Sequence, residues 1–124
     1  MEYFIRAYKN FANFEGRDTR KQYWMFYLFY IIFYILCVII DGVLYANGLV
    51  GEDGFLSIIY SLISFIPSIS ITTRRLHDIG KSGWWQLIML IPLLGILIVF
   101  YWMAKEGMHE DNQYGPNPYT NNNN

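Results

Sequence analysis

The chain has 124 residues, of which 54% are hydrophobic, 19% are aromatic and only 15% are charged, with a formal net charge of -1. A soluble domain usually carries about 25% charged residues, so the composition favours a membrane protein. A chain this close to neutral has no broad basic surface for nucleic acid, and we expect no nucleic-acid partner.

Residues 2–14 predict an amphipathic N-terminal helix. Aromatic and small side chains recur on one face at helical spacing. These are Tyr3, Phe4, Ala7, Tyr8, Phe11 and Phe14. Such a helix can lie in the headgroup region of a bilayer, with basic side chains near anionic lipid. The alternative is that the same face packs on a helical bundle.

Three apolar stretches predict three transmembrane helices, at about 23–45, 54–73 and 84–104. Each approaches the ~20 residues that a helix needs to cross a ~30 Å hydrocarbon core. Aromatic pairs of the kind found at membrane interfaces mark the start of the first stretch and both ends of the third. We therefore expect an all-α membrane protein with a single integral membrane domain over 1–118. A disordered tail over 119–124 is expected to follow, because its end is an asparagine repeat.

The basic residues predict the topology. Five precede the first span and three lie between the second and third, namely Arg6, Lys9, Arg17, Arg20 and Lys21, then Arg74, Arg75 and Lys81. The connection over 41–53 has none, and the tail has only Lys105. Since basic loops stay cytoplasmic, three crossings place the N-terminus inside and the C-terminus outside. Pro92 and Gly95 leave open a topology in which the third stretch is re-entrant.

Polar side chains form a stripe along each of the first two spans, at steps of three and four residues. The first stripe is Tyr23, Tyr27, Tyr30, Tyr34, Cys37 and Asp41, and the second is Ser57, Ser61, Ser64, Ser68 and Thr72. We expect these faces to meet, with Asp41 near the start of the second span and Tyr27 near Ser68 and Thr72. Alternatively, they line a pathway in an oligomeric transporter or channel, with Asp41 as its one carboxylate.

The segment Arg74–Trp85 holds the densest polar cluster. Arg75 and Asp78 are spaced for an i,i+3 ion pair. Gly80 and Gly83 permit a tight turn, and Trp84 and Trp85 are interface anchors. Metal binding needs three or four ligands, whereas here His77 and Asp78 are adjacent and His109 lies in the tail. His77 could act as a general base, but nothing orients Ser82 as a nucleophile.

This segment, RRLHDIGKSGWW, resembles the R-R-L-H-D-x-G-x-S-G-W-W signature of the YhaH/YhaI-type family of small bacterial inner-membrane proteins, a domain of unknown function (number eight hundred and five). Residues 14–24 are similar to the family's opening F-x-G-R-x-x-R-x-x-Y/F-W, and residues 112–118 to its ending N-x-Y/F-G-x-x-P. Lys21-Gln22 departs from the pattern, where an acidic residue is expected. The resemblance covers roughly residues 3–118 and implies a multi-span inner-membrane protein without an established activity.

We expect a non-enzymatic membrane component that binds anionic lipid headgroups, a membrane protein partner or a second copy of itself through a cytoplasmic basic surface. The residues assigned to that surface are Arg17, Arg20, Arg74, Arg75, His77, Asp78 and Lys81. The alternatives are the transporter or channel subunit described above, and an enzyme acting on lipid through His77 and Asp78. No cofactor is implied.

Overall fold

The structure, a computed structural model, describes residues 2–119, and these contain helices and no strand. The elements are α1 (Glu2–Lys9), α2 (Arg20–Ala46), α3 (Leu56–Asp78), a 3₁₀ arm (Gly83–Leu90) and α4 (Leu94–Ala104). The expected all-α class is confirmed.

The two long helices, α2 and α3, form the main pair. Both are long and apolar enough to cross a membrane, and they match the first two predicted spans. A capping box starts α2, because the Thr19 side chain accepts from the Gln22 amide at 3.2 Å and the Gln22 side chain accepts from the Thr19 amide at 2.8 Å. Many isoleucine, leucine and valine side chains of α2 are exposed. That distribution suits a helix surrounded by lipid better than one buried in a soluble core.

The third apolar stretch is not one continuous helix, so the expected single helix over 84–104 is wrong, while the third crossing of the membrane stays a prediction. The 3₁₀ arm ends at Leu90, and α4 begins at Leu94. Pro92 and Leu93 lie between these two elements. Pro92 has no backbone N–H to donate, and Leu93 adopts a positive φ of 64°. With 11 residues, α4 extends only ~16 Å, about half of a ~30 Å hydrocarbon core.

The 3₁₀ arm and α4 form a hairpin that leaves and returns at one end of the α2–α3 pair. Gly83 lies against Thr73, near the end of α3. At the other limb, Trp24 in the first turns of α2 donates from Nε1 to the Met103 carbonyl at 3.1 Å. The tail over 105–119 and the N-terminal segment therefore lie at the same end of the bundle. The expected topology, with the N-terminus inside and the C-terminus outside after three crossings, stays a prediction.

The short helix α1 packs on the bundle. Ala7 is fully buried, and the Phe4 ring lies 5.8 Å from Phe26 and 5.2 Å from Phe33 between centroids. The Tyr8 hydroxyl bonds to Ser64 of α3. Part of the predicted apolar face thus packs on the bundle, which is the alternative to lying in the headgroup region. Phe11 and Phe14 lie beyond the helix and are exposed. Contact of α1 with the headgroup region stays a prediction.

The two limbs of the hairpin touch at Gly95. A Cβ atom there would overlap the carbonyl oxygen of Ile88 in the 3₁₀ arm, and backbone atoms of Met89 lie next to it. Gly42 in α2 has nothing within 4 Å of the corresponding position. Only a residue without a side chain lets α4 approach the arm this closely.

We predict that replacement by alanine changes the free energy of unfolding differently at these two glycines. Gly95→Ala forces the limbs apart and lowers the free energy of unfolding in detergent by about 1–3 kcal/mol. Gly42→Ala leaves it unchanged or raises it by up to ~1 kcal/mol, because alanine is the better helix former. Equal effects of the two variants would show that the limbs are not in close contact.

Candidate functional site

A buried ionic cluster lies where α2 begins and α3 ends. Arg17 Nη2 lies 2.9 Å from Asp78 Oδ1, and Arg75 Nη1 lies 2.9 Å from Asp78 Oδ2. Arg74 Nε lies 3.0 Å from Asp18 Oδ2. All five side chains are at most 2% exposed. The i,i+3 pair predicted between Arg75 and Asp78 is confirmed.

Asp18 ties three segments together. Its backbone amide donates to the Arg74 carbonyl at 3.1 Å, and its carboxylate accepts from both Arg74 and Arg6. Arg6 reaches it from α1 at 3.1 Å with a side chain that is 39% exposed. Arg74 also donates to the carbonyls of Asn10 and Asn13. The loop before α2 is thereby fixed to both α1 and α3.

The end of α4 and the tail supply the remaining partners. Arg17 donates to the carbonyls of Glu110, at 2.7 Å, and Met108. Arg75 donates to the carbonyls of Met103, at 3.2 Å, and Lys105. Among the buried side-chain nitrogens and oxygens of residues 2–119, only Arg74 Nη2 has no hydrogen-bond partner. Backbone carbonyls of distant segments thus satisfy most of the guanidinium donors.

Tyr119 closes the cluster from the tail. Its hydroxyl donates to Asp78 Oδ2, and burial, followed by that hydrogen bond, raises the pKa of Tyr119 above its ordinary value. Gly107 passes so close that a Cβ atom would overlap both groups. The expected disorder of 119–124 stays a prediction, because only Tyr119 of that segment lies within the described residues.

His77 is held beside the cluster without joining it. Its Nδ1 is 2.9 Å from the Gly16 carbonyl, and its ring stacks on Tyr114 at 4.0 Å with 2° between the planes. Asp78 accepts from the two arginines and Tyr119 instead. Gly80 has a φ of +82°, which fits its predicted place in a tight turn.

The predicted basic surface divides into buried and exposed groups. Arg17, Arg74, Arg75, His77 and Asp78 are buried, and the expected contact of these arginines with phosphate groups stays a prediction. The exposed cations are Lys9, Arg20, Lys21 and Lys105. Lys81 is half-buried, with its ammonium 4.8 Å from the Trp102 ring centroid and 5.5 Å from that of Trp85. Trp84 and Trp85 themselves are exposed.

The two polar stripes meet between α2 and α3, as predicted. Asp41 accepts from the Leu56 and Ser57 amides at 2.9 Å each, and from the Ser57 hydroxyl at 2.8 Å. It therefore caps the free amides at the start of α3. Deeper in the pair, Tyr60 donates to the Tyr30 carbonyl at 3.2 Å.

Other residues of the second stripe form contacts within the chain. Ser68 and Thr72 interact with Tyr27, and Ser68 also donates to the Ser64 carbonyl at 2.7 Å. Ser61 is half-buried, and Tyr34 is partly exposed at the edge of the pair. The stripes thus contact each other within one chain, and a pathway through an oligomer stays a prediction. In the described part of the chain, no group of three His, Cys, Asp or Glu residues is placed to hold a metal ion.

Two apolar helices, an apolar hairpin and a buried ionic end define a small helical membrane protein. Residues 11–116 match the family model described as protein of unknown function (DUF805). Inner membrane protein YhaH of Escherichia coli (strain K12) is 39% identical over 118 residues, which cover 95% of this chain and 97% of that protein. Inner membrane protein YhaI of the same strain is 36% identical, over 95% of this chain and 96% of that protein.

The chain therefore belongs to the DUF805 family, and the resemblance found in its motifs is confirmed. Its relatives are inner-membrane proteins, so the bacterial inner membrane is its expected location. No solved structure matches the chain.

We predict that Asp78→Asn destabilises the protein by about 3–5 kcal/mol, because it leaves two buried guanidinium groups without their carboxylate. The measurement is the free energy of unfolding in detergent. Asp53→Asn, which removes the same charge from an exposed loop position, changes it by less than about 0.5 kcal/mol. If Asp78→Asn lowered the free energy of unfolding as little as Asp53→Asn, the result would contradict a structural role for the cluster.

Proposed function

We propose that this protein is a non-enzymatic component of the bacterial inner membrane that binds anionic lipid headgroups through exposed cations at one end of the bundle. The observation that carries the proposal is the position of its Lys and Arg residues. All nine belong to the N-terminal segment, the start of α2, the end of α3 and its turn, or the start of the tail. The opposite loop contains Glu52 and Asp53 and no cation.

The same distribution supports a topology with two crossings, by α2 and α3. The hairpin is then re-entrant from the cytoplasmic side, and the N-terminal segment and the tail are both cytoplasmic. This arrangement obeys the positive-inside rule for every Lys and Arg. The arrangement with three crossings leaves Lys105 outside.

Arg20 and Lys21 are the strongest candidates for headgroup contact. They stand at the start of α2 and border a cleft of ≈ 270 Å³ with Glu106, His109 and Tyr119. Arg20 donates to the Ala104 carbonyl at 3.3 Å, which holds it over the end of α4. Lysines and arginines near an anionic surface contribute about 1 kcal/mol each. Lys81, over two tryptophan rings at the base of the hairpin, adds a cation at the same end.

The contacts of the alternative residues favour a binding role over an enzymatic one. Both carboxylate oxygens of Asp78 accept from buried side chains, and His77 bonds to Gly16 and not to Asp78. A catalytic pair of these two residues would need a hydrogen bond between them and a substrate within reach.

We predict that native mass spectrometry in mild detergent finds phosphatidylglycerol or cardiolipin bound to the wild-type protein. Arg20→Gln/Lys21→Gln weakens this binding about 30-fold, since two cations contribute about 2 kcal/mol together. Glu52→Gln/Asp53→Asn alters two charges in the opposite loop and leaves lipid retention unchanged. A wild-type protein without bound anionic lipid, or equal retention in both variants, would remove the proposed function.

Cysteine labelling tests the topology. In a Cys37→Ser background, Glu52→Cys reacts with a membrane-impermeant maleimide in intact cells. Glu15→Cys and Glu106→Cys, also at exposed positions, react only after the inner membrane is permeabilised. Labelling of Glu106→Cys in intact cells would place the tail outside and restore a third crossing.

A further inference from the structure

A cavity of ≈ 350 Å³ opens between the N-terminal loop, α3 and the 3₁₀ arm. Phe14, Ile69 and Trp84 supply its apolar wall, and His77, Ser82 and Gln86 supply polar groups. None of its lining residues in the described part of the chain is Lys, Arg, Asp or Glu. Its volume lies in the ~300–1,000 Å³ range of small-molecule sites, which combine apolar walls with a few placed polar groups.

His77 presents a hydrogen-bond acceptor. Its Nδ1 bonds to the Gly16 carbonyl, and because a carbonyl oxygen only accepts, Nδ1 carries the proton. In the neutral ring Nε2 then has the lone pair. Nε2 has no hydrogen-bond partner within residues 2–119. The stack on Tyr114 fixes the plane of the ring.

Gln86 and Ser82 add an acceptor and a donor. The Gln86 amide nitrogen donates to the Thr73 hydroxyl at 2.8 Å, which leaves Oε1 without a partner among the described residues. The Ser82 oxygen accepts from the Trp84 amide at 3.3 Å, and its own hydrogen remains free to donate. The unused groups of the cavity thus include two acceptors, at His77 and Gln86, and two donors, the Ser82 hydroxyl and the second N–H of Gln86, which complement the hydroxyl groups of a polyol.

We propose that this cavity binds the free glycerol hydroxyl groups of a glycerolipid, with the carbon atoms of that glycerol against the apolar wall. The hydroxyls donate to His77 Nε2 and Gln86 Oε1 and accept from Ser82. An uncharged lining disfavours burial of a phosphate, so any phosphate of the ligand stays outside the cavity. The site is separate from the exposed cations and does not depend on the proposed anionic-lipid contact. Two membrane lipids carry this chemistry, diacylglycerol with one free hydroxyl and phosphatidylglycerol with two.

The test is native mass spectrometry of the full chain with added dioleoylglycerol, dioleoyl-phosphatidylglycerol or dioleoyl-phosphatidylethanolamine. The last of these has no free glycerol hydroxyl. We expect Gln86→Leu, which removes an acceptor at nearly constant size, to weaken retention of at least one of the first two lipids about ten-fold. Thr73 keeps its own hydrogen bond to the Ile69 carbonyl at 2.9 Å, so the fold tolerates this change. Gln113→Leu, the same substitution at an exposed tail position, retains wild-type binding.

Ile69→Trp is a second variant, which fills the cavity without changing a polar group. It also weakens retention, while circular dichroism confirms that its helices are intact. Loss of dioleoylglycerol alone identifies the uncharged lipid as the ligand, and loss of phosphatidylglycerol in Gln86→Leu identifies the phospholipid. If phosphatidylethanolamine binds as well as both others, or if Gln86→Leu binds like Gln113→Leu, the inference is overturned. Loss of phosphatidylglycerol only in Arg20→Gln/Lys21→Gln would overturn it while sustaining the proposed function.

Discussion

A buried guanidinium group needs a countercharge and acceptors for its N–H donors. This requirement organises the basic end of the bundle, where α2 begins and α3 ends. Desolvating an unpaired ion costs several kcal/mol, so three buried arginines cannot persist on apolar packing alone. Two aspartates supply the countercharge, one from the loop before α2 and one from the end of α3. The carbonyl groups that complete the cluster come from the N-terminal segment, the end of α4 and the tail.

The return of the hairpin follows from the same requirement. The last carbonyl groups of a helix have no intrahelical partner and form the negative end of its dipole. At the end of α4, the Met103 carbonyl accepts from both Trp24 and Arg75, and the Lys105 carbonyl accepts from Arg75. A third span would carry these groups to the far side of the bundle. The break at Pro92 and Leu93, together with the close approach at Gly95, lets α4 bring them back instead.

Local periodicity predicts the parts of this fold that depend on neighbouring residues. The polar stripes of α2 and α3, the position of Asp41 near the start of α3 and the Arg75–Asp78 pair follow from steps of three and four along a helix. Apolar length does not predict the hairpin, because 84–104 is long enough to span yet contains a turn. The local sequence also does not predict the burial of Arg17, because the partners of Arg17 lie 61 to 98 residues away in the chain. Two aspartates within two short arginine-rich segments were the available signal for internal pairing.

The buried ionic cluster changes which residues of this chain are candidates for binding a ligand. A run such as Arg74-Arg75 in a membrane protein suggests headgroup binding, but here Asp18, Asp78 and backbone carbonyls accept from most of its donors, with the buried Arg74 Nη2 left without a partner among residues 2–119. A group committed to the fold cannot also bind a ligand without breaking a buried ion pair. The groups left over are of two kinds, exposed cations such as Arg20 and Lys21, and unused acceptors at His77 and Gln86. Because the first kind suits phosphate and the second suits hydroxyl groups, one membrane protein of this size can contact a lipid at two chemically different positions.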